Sequence, residues 1–202
     1  IGHNALGGSI NGGEYNVAIG NSSLAANTSG DYNVAVGYRS LSANTGGGYN
    51  NAFGYDAMLS NTTGLQNTAV GHTSLYSNTT ASGNAAYGHG SLYANTTGVS
   101  NTASGVSSLI SNTTASYNTA IGGGALSDAN RTADTDGYNT ALGYNAGNTG
   151  SNDITTGNKN TLLGSITAAD AATATNQSVI GYGASGQADN SVTLGNADVT
   201  AV

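Results

Sequence analysis

Cysteine, proline and tryptophan are absent from this chain, and charge is nearly so. Without cysteine there is no disulfide and no thiolate metal site, and the redox compartment stays open. Charged residues make up 6% of the 202, against about 25% in an ordinary soluble domain. Asn, Ser and Thr must therefore keep the surface wetted. The only cations are Arg39, Arg131 and Lys159, and the net charge is −7. That balance excludes the basic stripe needed to neutralise phosphates, so no nucleic-acid partner is expected. No run of about 18 apolar residues occurs, so no membrane insertion is expected. No nucleotide loop, H-E-x-x-H or Ser-His-Asp spacing appears. The reading is therefore no catalytic residue, no cofactor and not an enzyme. The opening "IGHNALGG" has neither an initiator Met nor a signal peptide, which points to a piece of a longer chain.

What fills the chain is repetition. In "NTAVGHTSLYSNTTASGNAAYGHGSLYANTTG" (67–98) one phrase is written twice. The Gly closing each "A-(apolar)-G" recurs every 17 residues at Gly20, Gly37, Gly54, Gly71, Gly88, Gly105 and Gly122. Two 21-residue steps lead to Gly143 and Gly164, then 17 to Gly181 and 14 to Gly195. A fixed short period marks a stacked array. The array reads as one domain over 1–202: regular coils to 122, two enlarged coils over 123–164, and shorter coils over 165–202. No window shows helical apolar spacing, and each Gly inside a helix would cost about 1 kcal/mol relative to Ala. Alternation in "YNVAIG" (15–20) fits a short strand. A second strand is expected at "SSLAA" (22–26), with a turn at "NTSGD" (27–31). The fold class is thus all-β, a parallel β-solenoid of about eleven coils. Stacked at about 4.8 Å, they make a rod on the order of 50 Å long.

Stacking converts positions into columns. Four residues before the marker Gly stand Asn16, Asn33, Asn50, Asn67, Asn84, Asn101, Asn118, Asn139 and Asn160. Seven after it stand Asn27, Asn44, Asn61, Asn78, Asn95 and Asn112. Both read as structural ladders joining side-chain amides along the stack. The "NTT" copies match a glycosylation acceptor, but the repeat itself generates them. Ala stands two before the Gly in eight coils, from Ala18 to Ala141. Large residues stand one before it (Ile19, Val36, Phe53, Val70, Tyr87) and four after it (Leu24, Leu41, Met58, Leu75, Leu92). The large residues are expected to form the core, with the Ala column on the opposite strand face. A face held to Ala then implies close approach by a second copy of the chain.

Few residues offer chemistry. His72 and His89 follow successive marker glycines, in a column with Tyr38 and Tyr55. They are weak metal candidates, since imidazole is a common ligand but no acid or thiol accompanies them. Asp134 and Asp136 in "TADTDG" are weak Ca²⁺ candidates without the terminal Glu of a calcium loop. A second aromatic column contains Tyr15, Tyr32, Tyr49, Tyr117 and Tyr138, able to plate a thin core or to contact sugars and proteins. The enlarged steps concentrate Asp128, Arg131, Asp134, Asp136, Asn152 and Asp153. Loops on a rigid scaffold are where binding residues gather, so a receptor contact is expected there.

The stretch "NQSVIGYGASGQADNSVTLGN" (176–196) resembles the YadA-like head repeat of trimeric autotransporter adhesins. The "NTAVGHTSLYSNTTG"-type coils resemble the related repeats of bacteriophage tail fibres. That resemblance implies a left-handed parallel β-roll, three chains side by side as a homotrimer, and an extracellular role in attachment to a cell-surface glycan or protein receptor. Two alternatives compete. One is an ice-binding solenoid built on the Thr28, Thr45, Thr62, Thr79, Thr96 and Thr113 column, although adjacent Thr pairs point to opposite faces. The other is a polysaccharide-cleaving tailspike, for which no carboxylate pair is evident.

Overall fold

The computed structural model describes residues 2–8, 13–130 and 136–199. Arg131 and Asp134 lie outside the described residues. The structure is all-β, a β-solenoid of eleven parallel strands in about ten turns, with no helix among the described residues. The strands are β1 (Val17–Ile19), β2 (Val34–Val36), β3 (Asn51–Phe53), β4 (Thr68–Val70), β5 (Ala85–Tyr87) and β6 (Thr102–Ser104). They continue as β7 (Thr119–Ile121), β8 (Thr140–Leu142), β9 (Thr161–Leu163), β10 (Ser178–Ile180) and β11 (Val192–Leu194). Their order in the single sheet is their order in the chain. Each strand pairs in register with the next, Ala18 beside Ala35 and Ala35 beside Ala52.

Each strand ends where only glycine fits. Gly37 has φ +136, and a Cβ there would lie 2.2 Å from the Gly54 carbonyl oxygen of the next coil. The marker glycine therefore turns the chain and lets neighbouring coils touch backbone to backbone.

The expected second strand does not form. At Ser22 to Ala26 the chain turns, with φ +57 at Ser22 and +49 at Leu24. The same left-handed conformation recurs at Leu41, Met58, Leu75, Leu92, Leu109 and Leu126. It costs an L-residue roughly 1–2 kcal/mol, and here it aims a large side chain into the roll. The coils still stack along this side: the Leu24 amide donates to Ser40 O and the Ala26 amide to Ser42 O, both at 3.0 Å. A third left-handed residue (Tyr15, Tyr32, Tyr49) precedes the strand, so a 17-residue coil closes with one short strand.

The two strand faces are the reverse of the expectation. Ala35, Ala52, Ala69, Ala86, Ala103, Ala120 and Ala141 are buried, against the equally buried Leu41, Met58, Leu75, Leu92 and Leu109. Ile19, Phe53, Val70 and Tyr87 point outward. The roll is so narrow that a strand residue facing the Leu column must be small. The Ala column is thus set by packing within one chain, and it gives no argument for a second copy. A size exchange makes the same point. Where the Leu position becomes Gly147, the strand position of the next coil becomes Leu162. A Cβ on Gly147 would lie 2.8 Å from both Leu126 Cδ2 and Leu162 Cδ1.

Candidate functional site

Because the strands are short and in register, their outward residues form unbroken columns along the rod. The column next to the marker Gly includes Ile19, Phe53, Val70, Tyr87, Ile121, Leu142, Leu163, Ile180 and Leu194, each 38–47% exposed. Val36 continues it, and Ser104 is its one polar member. Beside it run the first residues of the strands, Val17, Val34 and Val192 with Ala85 but also Asn51, Ser178 and five threonines from Thr68 to Thr161, so this second column is mixed. The result is a half-exposed, mainly apolar column, interrupted at Ser104 and flanked by a mixed one, running the length of the array. Monomeric proteins rarely expose contiguous apolar patches beyond a few hundred Å², and patches of that kind mark interaction surfaces. This is the candidate functional surface. Sequence reasoning placed the same residues in the core, although the Leu column already supplied one large core residue per coil.

The asparagine ladders close the corner that leads into each strand. Asn33 Nδ2 donates to Gly47 O at 2.8 Å, and Asn44 Nδ2 donates to the same oxygen at 2.9 Å. The pattern repeats at Gly64, Ala81, Gly98 and Ala115. Both columns are therefore one network converging on a corner carbonyl. Between coils they differ. In the second column the bond is amide to amide, Asn44 Nδ2 to Asn27 Oδ1 at 3.1 Å. In the first, the main link is a backbone amide onto a side chain, Asn50 N to Asn33 Oδ1 at 3.0 Å. The first ladder runs Asn16, Asn33, Asn50, Asn67, Asn84, Asn101, Asn118, Asn139 and Asn160, and then Gln177 takes the next position. The "NTT" asparagines Asn61, Asn78, Asn95 and Asn112 are buried with their amide nitrogens engaged, so the fold closes them to modification.

Aromatic side chains stack along the outside. Tyr15, Tyr32 and Tyr49 form a pile with 4.9 Å between ring centroids. Tyr38, Tyr55, His72 and His89 form another at 5.0–5.1 Å. Piled rings cover each other's faces, leaving edges and hydroxyls outward, which removes most of the flat surface that sugar stacking uses. The His72 and His89 rings are 9° from parallel, so their lone pairs run side by side instead of converging on one ion. Among the described residues no cluster of three or more His, Asp or Glu is placed to hold a metal. Sequence reasoning missed one ion pair, made one coil apart: Arg39 Nε donates to Asp56 Oδ1 at 2.9 Å and its terminal nitrogen to Oδ2 at 2.5 Å. That hydrogen bond raises the guanidinium pKa further above its ordinary value. The guanidinium also lies 5.1 Å over the Tyr38 ring.

Of the receptor-contact candidates, the described ones are Asp128, Asp136, Asn152 and Asp153, and no hydrogen bond or ion pair among the described residues joins any two of them. Asp128 is exposed and accepts from Ser127 Oγ at 3.3 Å. Asp136 accepts from Tyr138 Oη at 3.1 Å. Asn152 is exposed in a left-handed conformation. The Asp153 carboxylate is spent on its own loop, taking the amides of Thr149 and Gly150. Ile154 N bonds Gly147 O at 3.1 Å, so residues 148–153 are pinched off as a small closed bulge. The threonine column is committed too: the Thr28, Thr45, Thr62, Thr79 and Thr96 hydroxyls each donate to a backbone carbonyl of the next coil. A shallow hollow of 370 Å³ at the last coil is lined by Gly183, Ser185, Gln187, Thr193, Gly195, Asn196 and Ala197, with no titratable side chain. Comparison of the chain with family models, with curated proteins and with solved structures gives no match.

Proposed function

We propose that the chain is a shaft or head segment of a side-by-side homotrimeric fibre that attaches a virion or a bacterial cell to its target from the extracellular side. The observation that supports this reading is the outward apolar column, ten large side chains long. Fully burying one such side chain contributes about 1.5–3 kcal/mol. Half of that for ten is on the order of 10 kcal/mol per chain, enough to offset much of an association cost of about 4–15 kcal/mol. A second copy is the occupant that fits best, because only a partner with the same coil spacing matches the column along its whole length. Three copies and left-handed rolls follow from the resemblance to adhesin heads and tail fibres. Attachment to a glycan or protein receptor is assigned to the bulged coils, where the uniform surface is interrupted. The ice-binding reading is weaker, since the hydroxyls of its threonine column are already bonded to the backbone.

A double charge on the face tests the assembly. Val70→Asp with Ile121→Asp should dissociate the fibre while each chain keeps its native circular dichroism. If the double variant assembles as the parent does, the face is not the interface. Shortening both 21-residue steps to 17 should keep the fold and lower binding to target cells; unchanged binding places recognition outside these coils.

A further inference from the structure

Zero cysteine means that no coil can be tied to the next by a disulfide. The chain nevertheless holds pairs of oxidisable groups one coil apart. Nine of its twelve tyrosines lie in stacks with another tyrosine: Tyr15–Tyr32–Tyr49, Tyr38–Tyr55, Tyr76–Tyr93 and Tyr117–Tyr138. Centroids are 4.9–5.1 Å apart and the rings 6–22° from parallel. The coil spacing imposes that separation, so the two phenols of a pair are held as neighbours by the fold. Tyr15, Tyr32 and Tyr49 are 46–69% exposed, so an oxidant reaches them and the rings keep room to tilt. Tyr87, Tyr144 and Tyr182 stack on no other tyrosine among the described residues, although they are equally exposed.

We propose that the tyrosine ladders are sites of oxidative cross-linking, at which a one-electron oxidant of the peroxidase class couples stacked tyrosines into dityrosine and ties neighbouring coils covalently. Each phenol gives one electron to the oxidant and one proton to water, leaving two phenoxyl radicals. The radicals pair by forming one carbon–carbon bond between ring positions ortho to oxygen. Each ring then moves its ortho hydrogen to oxygen and regains aromaticity. The net change is the loss of two hydrogen atoms per link, with peroxide reduced to water as the final acceptor. Pre-positioning turns an encounter between two radicals into a step within one molecule. Each link closes a loop of 17 residues, or 21 for Tyr117–Tyr138, and so restricts the unfolded chain as a disulfide would.

The test uses the purified chain at low concentration with a haem peroxidase and hydrogen peroxide. Dityrosine fluorescence gives the yield, and mass mapping of proteolytic peptides gives the pairs. Linked peptides lighter by two hydrogens are expected at the five stacked pairs, with the product still migrating as one chain in denaturing gels. The yield should fall at least tenfold when the chain is first unfolded in denaturant. Tyr32→Phe, at an exposed ring that folding tolerates, should abolish both links of its pile and leave the other three. Tyr182→Phe should change nothing. The cross-linked chain should melt several degrees higher than the untreated one. Links dominated by Tyr87, Tyr144 and Tyr182, links chiefly between chains, or the same yield and pattern from the unfolded chain would overturn the proposal.

Discussion

The regular coils up to Gly122 and the altered coils beyond it hold the same backbone with different side-chain devices. From Gly20 to Gly122 the coils repeat a Leu core (Met58 in one coil), the Ala strand and two asparagine columns. After it, the second asparagine column stops. The position following Asn112 is Ala129, and Asn112 Oδ1 is left buried without a partner. The Leu position shrinks to Gly147 while Leu162 grows to fill the space, Ile154 enters the core, and Gln177 replaces an asparagine in the first ladder. The parallel register survives all of this, from β7 beside β8 to β10 beside β11. What cannot vary is the glycine corner and the backbone ladder. Side-chain ladders and core sizes can be exchanged locally if volume and hydrogen bonds are made up within a coil or two.

The largest expected effect is at that invariant corner. Gly71→Val should unfold the array or cost more than about 4 kcal/mol, among the largest single-site effects. A Cβ at Gly71 lies 2.5 Å from the Gly88 carbonyl oxygen at φ +140, and both objections are backbone ones. The companion Gly150→Ala, with nothing within 4 Å, should cost only the roughly 1–2 kcal/mol of a left-handed residue. Thermal melts of the two check the contrast, and similar losses would erase the distinction between corner and bulge.

Next in size is the core. Leu75→Ala should cost about 2–5 kcal/mol, because Leu75 is fully buried between coils that cannot close around a cavity without shifting the ladder. The asparagine network follows. Asn84→Leu removes one of the two donors to Gly98 O and the acceptor for Asn101 N, both 2.9 Å bonds; Asn95 still serves the carbonyl, and the stranded Asn101 amide costs about 1–3 kcal/mol. Asn152→Ala in the bulge touches no such pair and should melt within about 1 kcal/mol of the parent. Equal melting points for the Asn84 and Asn152 variants would remove the ladder from the account. The smallest effect is local: Asp153→Ala should speed hydrogen exchange at the Thr149 and Gly150 amides, with global stability changed by less than about 0.5 kcal/mol. Unchanged exchange there would mean that the carboxylate does not hold the bulge.

The period, the strand at "VAI" and the stacking of asparagines were legible because a repeat read in columns exposes what every coil needs at one place. The direction of the faces was not. Alternation says that Val17 and Ile19 share a face, but the sense is fixed by the Leu24 column across the roll, which needs a small residue opposite. The second strand at Ser22 to Ala26 failed because left-handed leucine is invisible to propensity: burial pays for a conformation that the side chain alone disfavours. Arg39 and Asp56 are 17 apart, so the period could have paired them. The acids of the enlarged steps read as a binding cluster by composition, whereas Asp153 serves its own loop and Asp136 bonds Tyr138. Spacing alone carries no signal for a carboxylate turned back on its own backbone.

The most direct test of the central claim, that the outward apolar column is covered by copies of the same chain, is the mass of the unmodified chain in solution by light scattering. The expected result is three times the 19.7 kDa of one chain, independent of dilution over the micromolar range. A particle of 19.7 kDa with native circular dichroism would show a roll that keeps its apolar face in water, and would contradict the account.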